Sequence, residues 1–355
     1  MALLDVDELC TEFRSRSTTV RAVDGVSLSV DAGETLAIVG ESGCGKSVTA
    51  LSIVGLLPNR SAVIAGGSVR FDGRDLTELS AREQRAVRGR GISMIFQDPM
   101  SSLNPALTIG KQITESLRRN MGMSRKAAAD RAVELLALVG IPDPASRIDA
   151  YPHQFSGGMR QRAMIAIAIA CDPQLILADE ITTALDVTIQ AQILDLLRSL
   201  TSELGTALVM ITHDLGVVAG IADRVCVMYA GQVVEQAPVA DLYADPRMPY
   251  TWGLLSSLPR LDQPRGVPLV PIVGSPPDLA DPPTGCRFAA RCPYARDICR
   301  TNEPALLPVG RGARGDDPQL ARCWATQNVD GGGWLADVSW GDAPSHATVT
   351  IGGAS

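Results

Sequence analysis

The sequence predicts an α/β protein with a phosphate-loop core, an antiparallel β edge, a helical insertion and a small cysteine-containing C-terminal extension. Three observations carry this. The apolar run Thr35 to Val39 leads into GESGCGKS, Gly40 to Ser47, and a helix-like stretch opens at Val48. The hydrophobic period is helical between Met100 and Pro152 and returns to short strand-like runs at Leu175. Four cysteines, Cys286, Cys292, Cys299 and Cys323, crowd together after a stretch from Pro259 to Pro283 that is rich in proline.

Taken in order, the first thirty residues give short alternating apolar stretches. Ala22 to Val30 reads as a strand interrupted by a turn at Asp24-Gly25, an antiparallel edge. Asp31 to Glu34 then turns the chain into the buried strand that ends at the loop. In the pattern G-x-x-x-x-G-K-[ST], glycines let backbone N–H groups turn inward around a phosphate, and the following helix points its positive dipole end at the same charge. Gly40, Glu41, Ser42, Gly43, Cys44, Gly45, Lys46, Ser47 and Val48 are therefore the candidate triphosphate site. Lys46 would reach the β- and γ-phosphates and the Ser47 hydroxyl would coordinate Mg²⁺. A flexible glycine turn is the plain alternative; a strand before, a helix after and the Lys-Ser pair in register argue against it. Cys44 lies beside Lys46 at a helix N-terminus, and both favour a thiolate, so a reactive cysteine is expected.

Further strands are expected at Ser68 to Phe71 and at Gly91 to Phe96, the second running into Gln97. In an open α/β sheet ligands sit beyond the carboxyl ends of the strands, which puts Gln97 near the phosphates. The helical region has its clearest segment from Ser124 as N-cap to Gly140, followed by Pro142. Leu175 to Ala178 reads as a strand closing in Asp179-Glu180. An apolar strand ending in an acidic pair is the second requirement of a Mg²⁺-dependent triphosphatase, one carboxylate for the metal shell and one to orient water. After Asp186 a helical stripe runs from Ile189 to Leu204 and stops at Gly205. The strand Ala207 to Ile211 then ends in Thr212-His213, again at the sheet's carboxyl edge.

Bulk properties bound the reading. A chain of 355 residues exceeds one ordinary domain, so a core and an appended module are expected. With 46% hydrophobic and 20% charged residues it falls among soluble globular proteins. A net charge of -7 argues against a nucleic-acid partner. The apolar run Ala163 to Cys171 is too short to span a bilayer. Asp5, Asp7 and Glu8 follow the first residues at once, so no secretory leader is expected and the chain should stay in the cytosol. In that reducing compartment the clustered cysteines point to a metal site or an iron–sulfur cluster rather than disulfides.

GESGCGKS, Gln97, FSGGMRQR at Phe155 to Arg162, LILADE at Leu175 to Glu180, TALD at Thr183 to Asp186, and His213 together resemble the nucleotide-binding subunits of ABC transporters. The resemblance implies that Ser156, Gly157, Gly158 and Met159, at a helix start, form a second phosphate grip acting in trans on ATP held by a partner subunit. It implies that Glu180 is the general base, that His213 binds the γ-phosphate, and that Gln97 and Asp179 serve the Mg²⁺. Gln97 would also couple the site to the helical insertion, which in the family docks on a membrane subunit. Asp186 falls in the family's D-loop, and Phe13 where an aromatic stacks on adenine, with core burial as the rival reading. Two positions depart from the wider family: Met159 stands where Gln is usual, and Ile181 where Pro usually fixes the turn after the glutamate.

The proline-rich stretch reads as a semi-rigid connection. PLVPIVGSPPDL followed by GCRFAARC and two later cysteines resembles the C-terminal extension of oligopeptide/dipeptide importer ATPases. The organisation expected is a nucleotide-binding domain at 1–258 with its insertion at about 98–158, the extension at 259–325 and a tail at 326–355, mobile from Asp330. The resemblance implies an ATP-hydrolysing subunit that powers import of short peptides or a related solute. It would work at the cytoplasmic face of the membrane with two permease subunits, a second ATPase subunit (a different chain, or a second copy) and an external substrate-binding protein. A mechanical ATPase acting on DNA or ribosomes would predict a basic surface, a long coiled-coil insertion or tandem cassettes, and none is present; an inactive regulatory subunit is disfavoured by Lys46, Glu180 and His213. For Cys286, Cys292, Cys299 and Cys323 the resemblance suggests a structural [4Fe–4S] cluster, as in some members. Their spacings of five, six and twenty-three residues lack the tight pairs of zinc sites. Zn²⁺ stays the alternative, and four free thiols the plain one. Gln319 stands where this branch often has histidine.

Overall fold

A computed structural model describes residues 2–58, 61–181, 186–258, 271–310, 318–327 and Trp334. The strands are β1 (Leu4–Arg14), β2 (Thr19–Val30), β3 (Thr35–Val39), β4 (Ala62–Phe71), β5 (Arg74–Asp75), β6 (Ile92–Ile95), β7 (Leu175–Asp179), β8 (Ala207–Thr212), β9 (Arg224–Tyr229), β10 (Gln232–Pro238), β11 (Leu307–Gly310) and β12 (Gln319–Ala321). They form two sheets.

The smaller is antiparallel in the order β2-β1-β4-β5, the expected edge. Asp24-Gly25 does not interrupt β2 as a turn. The strand runs through it as a bulge, with Gly25 at φ +64° and its N–H donated to Cys10 Sγ at 3.3 Å, so the register against β1 shifts between Leu9 and Thr11. An extra residue absorbed this way bends a strand without ending it.

The larger sheet has the order β11-β12-β10-β9-β3-β8-β7-β6. From β9 to β6 all neighbours are parallel. TLAIV, LILAD and ALVMIT are buried along their whole length, the pattern of strands covered on both faces. One core cluster lies between the large sheet and the helices Ile109–Met121, Arg125–Leu138, Gly157–Ile169 and Val187–Leu204; the other lies between the two sheets around Ile38, Ile53 and Val69.

Local signals set the helix ends. The Thr108 and Ser124 hydroxyls cap the two insertion helices by accepting from Lys111 N–H and Ala127 N–H, and Gly140 takes φ +74° just past the second. Ala230-Gly231, both at positive φ, make the tight turn between β9 and β10. The C-terminal segment is sewn onto this sheet: β12 pairs with β10 through Glu235↔Ala321 and Gln236↔Leu320, and β11 pairs with β12. No sequence pattern announced these strands. They are short and bounded by prolines and residues 311–317, outside the described set. Also outside it are Thr183 to Leu185 of the TALD motif, residues 259–270 of the proline-rich connection, and the tail other than residues 326–327 and Trp334. Among the described residues no helix is long and apolar enough to cross a membrane.

Candidate active site

Four parallel neighbours, β3, β8, β7 and β6, bring their carboxyl ends to one edge, and the phosphate loop, His213, Asp179-Glu180 and Gln97 follow those ends respectively. Two loop positions require glycine. A Cβ on Gly40, at φ +153°, would lie 2.2 Å from the Met228 carbonyl oxygen, and one on Gly45, at φ +105°, 2.4 Å from that of Ala22. The loop therefore runs pressed against β9 and β2. Among the described residues no side chain caps the helix Lys46–Val54, so its first amides face the loop. Lys46 is buried, and its Nζ donates to the carbonyls of Gly40 at 2.8 Å and Glu41 at 3.0 Å.

The acidic pair divides its contacts. Asp179 is buried, and its Oδ1 accepts from Ser47 Oγ at 2.9 Å; burial pushes its carboxyl up, and the Ser47 bond and Lys46 offset part of that. Glu180 Oε2 accepts from Gln97 Nε2 at 2.9 Å, while its Oε1 lies 3.6 Å from His213 Nδ1 and 4.0 Å from Lys46 Nζ. Glu180 holds the left-handed region at φ +43°, uncommon for a non-glycine residue. Its N–H donates to Ile211 of β8 at 2.9 Å, and Ile181 is buried in the core. Where the resembled family relies on a proline ring, this chain anchors the turn by a cross-strand hydrogen bond and an apolar side chain. Ser47 and Asp179 present hard oxygen donors suited to Mg²⁺ beside a phosphate site, and the carboxylate of Glu180 faces the space between Lys46, Gln97 and His213.

Ser156 Oγ caps the helix Gly157–Ile169 by accepting from Met159 N–H at 3.3 Å. The open hollow before this helix is lined by Ser156, Gly157, Gly158, Met159 and Asp186 and by no residue of the chain's own phosphate loop. Asp186 caps the next helix by accepting from Ile189 N–H at 2.9 Å. Phe13 is half-buried near the end of β1, and Val48 packs at the margin of the core between the sheets.

Cys44 departs from expectation. Its side chain is buried, and burial pushes the thiol up despite Lys46 Nζ at 3.8 Å, so the loop carries a protonated, shielded thiol instead of a reactive thiolate. The four C-terminal cysteines share one neighbourhood. Burial pushes Cys286 up to about 11 and Cys323 up to about 12 and raises Cys292 as well, and neighbouring thiols add to each of these three shifts. Among the described residues no three Cys, His, Asp or Glu side chains are placed to share one metal ion. Sequence reasoning missed Tyr250 and Arg291, which hold Glu41 of the loop; neither belongs to a phosphate-site pattern.

Residues 23–183 match the family described as ABC transporter, and residues 234–299 match the oligopeptide/dipeptide transporter C-terminal region. The dipeptide transport ATP-binding protein DppD of Bacillus subtilis is 53% identical over 322 residues, covering 91% of this chain and 94% of that protein. This chain belongs to the ABC transporter ATP-binding proteins. Another relative, the oligopeptide transport ATP-binding protein OppD of B. subtilis, is 53% identical over 86% of each chain. Among solved structures, the ATP-binding cassette MJ0796, as a dimer in a post-hydrolysis state bound to ADP and Pi, superposes with a TM-score of 0.60 at 30% identity. It covers 66% of this chain and 98% of its own. The ABC ATPase fold and an ATP-hydrolysing activity are thereby those of this chain.

Proposed function

We propose that this ABC ATPase powers the import of short peptides through two separate permease subunits, acting at the cytoplasmic face of the membrane. The observation that carries the reading is the reach of the likeness: it spans the ATPase core and continues through the C-terminal region to relatives that transport dipeptides and oligopeptides. Closure on ATP with a second ATPase subunit, and reopening after hydrolysis, would drive the permeases, with an external binding protein delivering the peptide.

In this reading the phosphate loop and Lys46 hold the triphosphate, and Phe13 stacks on adenine; its place outside both core clusters favours that over burial. Ser47, Gln97 and Asp179, whose carboxylate accepts from the Ser47 hydroxyl, would hold the Mg²⁺, which would supply neutralisation of phosphate charge. Glu180 takes the proton of the attacking water, and His213 donates to the γ-phosphate. Ser156, Gly157, Gly158 and Met159 serve the partner's nucleotide, and Asp186, on the same hollow, would act as the D-loop residue of the paired subunits. For Cys286, Cys292, Cys299 and Cys323 the [4Fe–4S] reading, with Zn²⁺ as alternative, rests on the donor set, its shared neighbourhood and the family likeness; among the described residues no three are placed to share one ion, and binding would have to draw them closer. The extension would be braced by it, and no step of hydrolysis passes through it. Anaerobically purified chain should then be brown with about four irons; colourless protein with one zinc would keep the ligands and replace the cluster.

The test of the transport reading is purification of the chain with its membrane partners, reconstitution in vesicles, and ATPase and uptake assays. Di- or oligopeptide presented with the binding protein should stimulate both. ATPase activity that ignores peptides and follows another solute would overturn the substrate class.

A further inference from the structure

Glu41, the first residue after Gly40, is held by two residues more than two hundred positions away. Its N–H donates to Tyr250 Oη at 2.9 Å. Its carboxylate accepts a two-pronged grip from Arg291 in the C-terminal extension, Nη1 to Oε2 at 2.7 Å and Nη2 to Oε1 at 2.9 Å. The Arg291 side chain is 5% exposed. Its five N–H donors all have acceptors, because Nε reaches Val273 O at 3.0 Å, Nη1 also reaches Tyr229 Oη at 3.2 Å and Nη2 also reaches Ile272 O at 3.3 Å. Tyr229, Tyr250 and Phe288 pack ring on ring beside it, with centroids 4.6 to 5.3 Å apart.

A buried guanidinium is a poor way simply to attach an extension, since an apolar side chain would fill the same space without desolvating a charge. A forked pair does what an apolar contact cannot: it fixes orientation as well as distance. What it orients here is the loop backbone at Glu41, whose carbonyl, with that of Gly40, receives Lys46 Nζ. We propose that Arg291 is a positioning residue for ATP, acting through Glu41 to hold the phosphate loop in its binding shape and making the C-terminal extension a working part of the nucleotide site. Coupling of this kind is reciprocal. Nucleotide in the loop steadies Arg291 and with it the cysteine module, whose Cys292 is the next residue.

The test uses the full-length chain for Mg-ATP binding and the assembled transporter for hydrolysis. Arg291→Ala should raise both Kd and KM for ATP about tenfold while kcat at saturation stays within about twofold, a coupling of ordinary size. Arg291→Lys should fall between, because an ammonium cannot fork. Glu41→Gln should resemble Arg291→Ala, and the double variant should be no worse than the worse single one. A purely structural role predicts a lowered Tm with unchanged Kd, or additive losses, and either result overturns the proposal. Should Arg291→Ala not fold, Glu41→Gln decides on the core side, and unchanged ATP affinity there overturns it equally. In the reverse direction, Mg-ATP should slow amide exchange across residues 285–300 in the parent chain and not in Glu41→Gln; equal protection in both contradicts the coupling.

Discussion

At the scale of single residues, Glu180, the proposed general base, has one carboxylate oxygen bonded to Gln97 and the other facing His213 and Lys46. Glu180→Gln keeps the shape and the Gln97 contact but cannot take a proton, so hydrolysis in the assembled complex should fall about 10²- to 10⁴-fold while ATP binding persists. Parental turnover in that variant would remove the assignment. Cys44 yields the opposite expectation to the one its neighbours suggest. A helix N-terminus and an ammonium both favour thiolate, but burial outweighs them. Maleimide should therefore label Cys44 in the native chain at neutral pH at least about tenfold more slowly than in the unfolded chain; equal rates would show an open loop. Gln97, Asp179, Glu180 and His213 were legible in the sequence because each follows an apolar strand, and parallel strands deliver their ends to one edge. Burial of Cys44 was not, because the atoms that shield it come from elsewhere: a Cβ on Gly40 would stand 2.8 Å from its Sγ and 2.2 Å from the Met228 carbonyl.

At the scale of elements, uninterrupted apolar runs identified β3, β7 and β8, and the Ser124 cap with Gly140 identified the second insertion helix, whereas the Thr108 cap of the first went unread. The pairing of β12 with β10 was invisible, because three residues carry no period and the partner lies more than eighty positions away. That junction encloses Glu235, fully buried, whose carboxylate accepts from Arg247 N–H at 2.6 Å, Met248 N–H at 3.1 Å and Gln319 Nε2 at 2.9 Å. The position where this branch often has histidine thus supplies an amide donor. Burial pushes Glu235 up to about 7 from an ordinary 4.5, the hydrogen bonds offsetting part of the shift. The folded chain then binds a proton that the unfolded chain releases across that window, so the contribution is fully present below about pH 4.5 and is lost as pH rises toward 7, on the order of 3 kcal/mol at most. Thermal unfolding followed from pH 5 to 8 should show Tm falling through this range in the parent chain and less in Glu235→Gln. Identical slopes would mean that Glu235 titrates normally.

At the scale of the whole molecule, the two grips proposed for ATP lie at different places on the chain. The loop, Lys46 and Ser47 make one, and the capped start of the helix Gly157–Ile169 makes the other, opening onto a hollow that contains none of the loop's residues. A helix N-terminus with two glycines and a serine cap is built to receive an anion. The two candidate grips were legible in GESGCGKS and SGGM, and the family resemblance implied that the second acts in trans; the packing that keeps the loop's residues out of the second hollow was not legible, since no local pattern carries it. Their division predicts different defects. Lys46→Ala should weaken ATP binding by the isolated chain. Ser156→Arg should leave that binding within about twofold, because the arginine stands outside the chain's own loop, yet should abolish ATP-driven pairing and steady-state hydrolysis with the second ATPase subunit by placing bulk and a misdirected charge where the partner's γ-phosphate is proposed to dock. Nucleotide titration of the single chain together with sedimentation in Mg-ATP on a Glu180→Gln background separates the two. Loss of ATP binding by the isolated Ser156→Arg chain would place the second grip in cis, and unimpaired pairing and hydrolysis would remove it from the cycle.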